Sequence, residues 1–198
     1  MTGAAVAGPD GRLRCPWALS AADYLTYHDD EWGRPIRDDR GIFERLTLEA
    51  FQSGLSWLTI LRKRENFRTA FAGFDIARVA AFDSADRARL LADPGIVRNR
   101  AKVDAAIVNA RAALALEEGL ARLVWRFAPE EVPAPVALSD VPAQTSESKA
   151  LAAELKRAGF VFVGPVTAYA LMQAAGLVND HLADCTARRE QVDEGAPG

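Results

Sequence analysis

The sequence lacks any apolar run approaching the roughly 20 residues that a membrane span requires. Its start, MTGAAVAGPDGRLR, lacks the basic stretch and apolar core of a secretory signal. These absences lead us to expect a cytoplasmic protein without membrane association. Strand-period alternation is missing too, except briefly over Phe160–Val163, which points away from a sheet fold and toward an all-α chain. The formal net charge is only −3, so no global basic character advertises nucleic acid. Any DNA contact must come from a local surface. Cysteine and histidine are scarce, at two each. Cys15 and Cys185 lie near opposite ends, and a reducing cytosol argues against a structural disulfide between them.

What is present suits a globular protein. The 198 residues are 49% hydrophobic and 26% charged, enough for a core in one domain or two small lobes. Residues 1–14 and 186–198 read as disordered tails around an ordered stretch, 15–185. Capping signals place helices over Gly41–Ser53 (capped by Asp38 or Asp39), Trp57–Phe71, Ile76–Phe82 and Ala85–Leu91. After the Asp93-Pro94-Gly95 turn, the stripe Val103, Ala106, Ile107, Ala110, Ala113 and Leu114 marks the longest helix. Shorter helices are expected over Leu120–Phe127 and from Ser146 to Ala158. The last should span Leu177–Cys185. The basic run RKRENFR (Arg62–Arg68) reads as a solvated helix face.

The stretch LEAFQSGLSW, Leu48–Trp57, stands out. Helical spacing puts Glu49 on one stripe with Ile42, Phe43, Leu46 and Ala50. A carboxylate there is costly unless paired, neutralised or functional. Gly54 breaks the helix, Leu55 follows on the turn, and Ser56 caps a helix opening with Trp57. Acid, bare leucine and aromatic face together suit a flat, electron-poor ligand. A second aromatic group, Trp17, Tyr24, Tyr27 and Trp32, lies within 16 residues. It suits either core packing or ligand contact.

The segment GFVFVGPVTAYALMQAAG, from Gly159 to Gly176, reads as helix end, apolar turn, Gly164, then a helix opening on Pro165. The turn and first helical residues, Gly164 and Thr167 included, fit a helix-hairpin-helix that holds a DNA phosphate. They fit an ordinary helix corner equally well.

His181 and Cys185 are four apart, the spacing of one helix face. Cys15 and His28 supply a second pair. Together they form a Cys2His2 set that uses every cysteine and histidine of the chain. That set suits a closed, structural zinc ion.

The segments CPW, YLTYHDDEWG, LEAFQSGLSWLTILRKRENF, GIVRNRAKVDAAIVNARA and GFVFVGPVTAYALMQAAGLVNDHLADC resemble DNA-3-methyladenine glycosylase I, the Tag family. The resemblance runs from Cys15 to Cys185. It implies an all-α helix-hairpin-helix glycosylase fold, with residues 15–185 forming one two-lobed domain around a cleft. It implies structural Zn2+ on Cys15, His28, His181 and Cys185, joining the N- and C-terminal segments. It implies an enzyme that removes 3-methyladenine from alkylated double-stranded DNA; separately, no large exposed apolar stripe is left over, so we expect a monomer. The base pocket would map to Glu49, Tyr27 and Trp57, with Tyr24, Trp17 and Trp32 beside them. Gly54-Leu55 would be the wedge that replaces the flipped base. Arg98, Arg100 and Lys102 are candidates for phosphate contact. Where many helix-hairpin-helix glycosylases carry a catalytic Asp, this chain has Asn179, followed by Asp180, and no lysine is placed for lyase chemistry. The alternatives are a glycosylase with another base preference, or a DNA-binding module that scans for damage without catalysis.

Overall fold

The computed structural model describes residues 3–130 and 132–195. They form two compact units. One comprises Met1–Pro35, Ala128–Ala143 and Met172–Gly198; the other comprises Ile36–Phe127 and Gln144–Leu171. The described residues are mostly helical. No helix among them is long and apolar enough to cross a membrane.

The larger unit follows its caps. Helix α2 (Asp39–Gln52) begins where the Asp38 carboxylate accepts the Gly41 N–H at 2.9 Å. Helix α3 (Trp57–Ala70) begins where Ser56 Oγ accepts the Thr59 N–H at 3.3 Å. Helices α4 (Ile76–Ala80) and α5 (Ser84–Ala92) are capped by Asp75 and Asp83, so the cap of α5 is one residue earlier than expected. Asn99 caps α6 (Arg100–Leu114), the longest helix described. Helix α7 (Leu120–Trp125) follows. Helix α8 (Ser146–Arg157) is capped by Thr145, not by Ser146, because Thr145 and Ser148 bond reciprocally. Helix α9 covers Pro165–Ala174.

Two buried layers hold this unit together. Phe51, Phe67, Phe71 and Phe74 form a run of ring contacts with centroids 4.8 to 5.9 Å apart along the run. Each such ring contributes about 2 to 3 kcal/mol by burial. Small residues on α6, notably Ala106 and Ala110, let that helix lie close to its neighbours. The basic run is partly consumed inside the unit, against the solvated-face reading. Arg68 pairs with Glu44 at 2.8 Å, and Lys63 Nζ donates to the carbonyls of Pro94 and Gly95 at 3.0 and 3.2 Å.

The smaller unit departs from expectation at both ends. The N-terminal stretch read as a disordered tail contains a short antiparallel pair, β1 (Val6–Ala7) with β2 (Leu13–Arg14). Two residues per strand are too few to show alternation. Buried Arg14 fixes the pair by bonding Asp10 at 2.6 Å and Asp29 at 2.8 Å. Helix α1 (Ala22–Asp30) follows. Helix α10 (Thr186–Gly195) occupies most of the other expected tail, and Arg12 pairs with its Glu190 at 2.8 Å. Residues 1–2 and 196–198 of those tails lie outside the described residues. The expected helix Leu177–Cys185 is absent. Gly176, at φ 74°, ends α9, and the chain then turns irregularly. Only glycine fits there, because a Cβ would stand 2.6 Å from the backbone of Arg34 and Pro35.

Candidate functional site

Three groupings carry the candidate site residues, two in the larger unit and one in the smaller. The first is on α2 and the turn after it, in the larger unit. Glu49 is only 7% exposed. Burial pushes its carboxyl up to about 8, against a smaller downward pull from Arg45 one turn earlier. Three residues beyond the helix end, Leu55 is 41% exposed on a turn whose Gly54 sits at φ 80°. No atom lies within 4 Å of where a Gly54 Cβ would be, so that glycine is required by its backbone angle alone. Half-buried Trp57 opens α3 beside this turn. The stretch Leu48–Trp57 thus brings together a proton-holding acid, an outward leucine and an indole.

Lys102 does not face solvent as a phosphate contact would. It is 7% exposed, and its ammonium donates to the carbonyls of Phe51 and Ser53 at 2.8 and 2.5 Å. Those carbonyls belong to the end of α2, where unsatisfied C=O groups and the helix dipole favour a cation. The phosphate reading of Lys102 is therefore replaced by a helix-capping one. Arg98 and Arg100 are exposed.

The second grouping is the turn from α8 into α9. Phe160 and Val163 are buried, whereas Val161 and Phe162 project outward, Phe162 at 42% exposure. Phe162 holds the left-handed position, φ 60°, an uncommon conformation for a bulky side chain. Asn109 of α6 clamps the turn: its Nδ2 donates to Val161 O at 3.0 Å, and its Oδ1 accepts the Val161 N–H at 2.8 Å. Gly164 has open space where a Cβ would be. Thr167 lies half-buried in the first turn of α9.

The third grouping is in the smaller unit. Ligand atoms of Cys15, His28 and Cys185 lie within 4.8 Å of one another, and all three residues are buried. His181 stands beside them, its ring 4.6 Å from that of His28 and its Nε2 3.3 Å from the His28 carbonyl oxygen. His181 and Cys185 meet the others from an irregular loop, not from one helix face. That loop spends its backbone on the site: the Leu182 N–H points at Cys15 Sγ at 3.4 Å, and Asn179 Oδ1 accepts the His181 N–H at 3.2 Å.

Side chains behind the cluster orient the imidazoles. Asp29 Oδ1 is 2.7 Å from His28 Nδ1, leaving Nε2 directed at Cys185 Sγ, 3.5 Å away. Asn179 Oδ1 is 3.0 Å from His181 Nδ1, which orients that ring with Nε2 toward the His28 carbonyl. Burial, aided by His28, lowers His181 to about 4, which favours the neutral ring. A hydrogen bond from Cys15, aided by His28, depresses Cys185 to about 3, while Cys15 itself is raised by that bond. The two sulfurs of Cys15 and Cys185 and the ring nitrogen of His28 are donor types that could hold a metal ion.

Trp17 and Trp32, candidates for base contact, pack around this cluster. Trp17 meets His28 edge-on at 5.1 Å, and Trp32 meets His181 at 4.7 Å. Tyr24 packs on Trp17 at 5.6 Å, and Tyr27 is buried on α1. All four aromatics belong to the smaller unit, whereas Glu49, Gly54, Leu55 and Trp57 belong to the larger. Asp180 is a structural group, accepting from Gln173 Nε2 at 2.8 Å. Sequence reasoning missed Asn109 and Asp29. A lone Asn on the apolar stripe of α6, and an Asp directly after His28, were the available signals.

Residues 17–189 match the methyladenine glycosylase family. DNA-3-methyladenine glycosylase 1 of Escherichia coli (strain K12) is 46% identical over 177 residues, covering 87% of this chain and 95% of that protein. DNA-3-methyladenine glycosylase of Haemophilus influenzae is 44% identical over 180 residues, covering 87% and 96%. A crystal structure of 3-methyladenine DNA glycosylase I (TAG) superposes with a TM-score of 0.84 at 46% identity, covering 87% of this chain and 98% of that one. The Staphylococcus aureus enzyme, whose structure concerns 3-methyladenine recognition, superposes at 0.82 with 35% identity, covering 88% and 95%. On the family match and these relatives, the chain belongs to the methyladenine glycosylase family.

Proposed function

We propose that this protein is a base-excision glycosylase that hydrolyses the N-glycosidic bond of 3-methyladenine in alkylated double-stranded DNA, working as a cytoplasmic monomer. The observation that carries the reading is Glu49, a carboxyl buried on the helix that ends at the exposed Gly54-Leu55 turn, with Trp57 opening the next helix.

The chemistry needs little acid catalysis. A 3-methylated adenine nucleoside is cationic, so its base departs as a neutral molecule when the bond from the sugar carbon to the ring nitrogen breaks. Water adds to that carbon, leaves its proton with solvent, and an abasic site remains. The protein's task is to extract and select the base. Glu49 binds and orients the base by hydrogen bonding, and ionises as the cation enters, because an adjacent positive charge lowers its pKa. Trp57 offers a face for stacking and cation–π attraction. Leu55 enters the stack the base vacates, as apolar wedges do. The α8–α9 turn acts as a helix-hairpin-helix. Neither backbone angle nor internal packing demands glycine at 164, so close approach by a DNA phosphate explains it.

Structural zinc on Cys15, His28, His181 and Cys185 would fix the fold of the smaller unit. Four protein ligands leave no open position for activating water. No lysine neighbours Asn179, which supports a reaction that stops at the abasic site.

The test is release of free 3-methyladenine from methylated DNA by wild type and Glu49→Gln. Wild type should release the base, and the variant should do so at least about tenfold more slowly, as for loss of one charge-assisted contact. No release by wild type would overturn the assignment.

A further inference from the structure

Helix α6 carries two buried polar side chains that no step above uses as chemistry. Lys102 and Asn109 are seven residues apart, so they lie on one stripe of the helix, about 10 Å apart along its axis. Both are buried, and both spend their polar atoms on the backbone of another segment. Lys102 donates to the Phe51 and Ser53 carbonyls, directly before Gly54 and Leu55. Asn109 exchanges two hydrogen bonds with Val161, directly before Phe162 and Gly164. Each held segment then presents a bare apolar side chain outward, Leu55 in one case and Phe162 in the other.

We infer that Lys102 and Asn109 are positioning residues, which make α6 the bar that fixes the spacing of the wedge turn and the hairpin turn for one DNA duplex. The inference rests on the reading of Gly54-Leu55 as the wedge. The physical case starts from cost. A lysine buried with only neutral carbonyl partners is expensive, and leucine or methionine would fill its place more cheaply. A buried asparagine is likewise tolerated only because both ends of its amide are matched. Each residue closes a turn that its own backbone leaves open: the end of α2 presents carbonyl acceptors that need donors, and the hairpin carries a strained residue. A wedge must keep its geometry while DNA pushes against it, and a hairpin must hold its N–H groups at phosphate spacing. Pins on a single rigid helix do both and set the distance between them.

The test measures binding of a duplex carrying a stable tetrahydrofuran abasic analogue, beside binding of free 3-methyladenine followed by tryptophan fluorescence. Lys102→Met and Asn109→Leu should each weaken duplex binding by about tenfold, the scale of one charge-assisted or doubled hydrogen bond. Free-base binding should stay within about twofold, since the pocket side chains are untouched, and it reports that the variants fold. Lys102→Arg, which can still donate to both carbonyls, should restore most of the affinity. Lys102→Met should add little to Leu55→Ala, because both act through one turn. If Leu55→Ala leaves duplex binding unchanged, the wedge reading fails and takes this inference with it. If Leu55→Ala weakens binding and Lys102→Met or Asn109→Leu does not, only the inference fails. Equal loss of duplex and free-base binding would also overturn it, by marking the pins as general supports of the fold.

Discussion

Glu49 should make the protein less stable as the solution becomes more alkaline, by an amount its burial determines. Its carboxyl is held near 8 in the fold against an ordinary 4.5. Below pH 4.5 the group is protonated in both folded and unfolded chains and carries no penalty. Between 4.5 and about 8 the unfolded chain ionises while the fold keeps the proton, so stability falls by about 1.4 kcal/mol per pH unit. Above about 8 both states are ionised and the full loss, about 5 kcal/mol, has been reached. That is a large part of the 5 to 15 kcal/mol typical of a folded domain. Glu49→Gln removes the titration while keeping the side chain's size and hydrogen-bonding capacity. Urea unfolding of the two proteins should therefore give nearly equal stabilities at pH 4.5, a variant advantage of about 3 kcal/mol at pH 7, and about 5 kcal/mol at pH 8.5. Arg45, the one cation that lowers the Glu49 pKa, pulls against this and sets the direction of any shortfall. A stability difference that does not change between pH 5 and 8 would refute the burial argument, whatever its sign.

Two further outcomes follow from the smaller unit. Freshly purified protein should contain about one zinc per chain, and Asp29→Asn, which loosens the His28 tautomer, should weaken zinc retention against a chelator by about tenfold or more; metal analysis with retained zinc in both proteins would contradict the second expectation. Gly176→Ala should lower stability by about 3 kcal/mol or more, from a left-handed backbone and a clash with the Arg34–Pro35 backbone, whereas Gly54→Ala, with open space around it, should lose only about 1 kcal/mol; thermal melts of the two variants make the comparison.

The helices of the larger unit were legible because their ends are written locally. Asp38, Ser56 and Asp75 accept backbone N–H groups within three residues, so composition and position suffice to find them. Glu49 was legible because a charged residue on an apolar stripe contradicts its neighbours. The segment after Gly176 was not. Its residues repeat at helical spacing, yet its N–H groups are claimed by Cys15 Sγ and the Asn179 side chain. Those partners are a chain's length away or off the helical register, and no local pattern encodes them. Lys102 failed as a reading for a related reason. Beside Arg98 and Arg100 it resembles one more solvated cation, and only the fold brings the end of α2 to it. Arg14 likewise looks like a tail residue until Asp10 and Asp29 close on it.

The two kinds of buried polar group in this protein differ in what satisfies them. Around the cysteines and histidines, each orienting side chain has a protein partner: Asp29 has His28 and Arg14, and Asn179 has His181. Such a network gains from mutual polarisation and holds one geometry. At Glu49 the balance runs the other way. Burial outweighs the help of Arg45 and leaves an acid that keeps its proton near neutrality. A fold selected for stability alone would place leucine or glutamine there. On the function proposed above, the carboxyl would become favourable when a cation arrives from outside, as a methylated purine in DNA is. In that reading the energetic defect would be the source of the selectivity, set on a helix whose far end Lys102 holds in place.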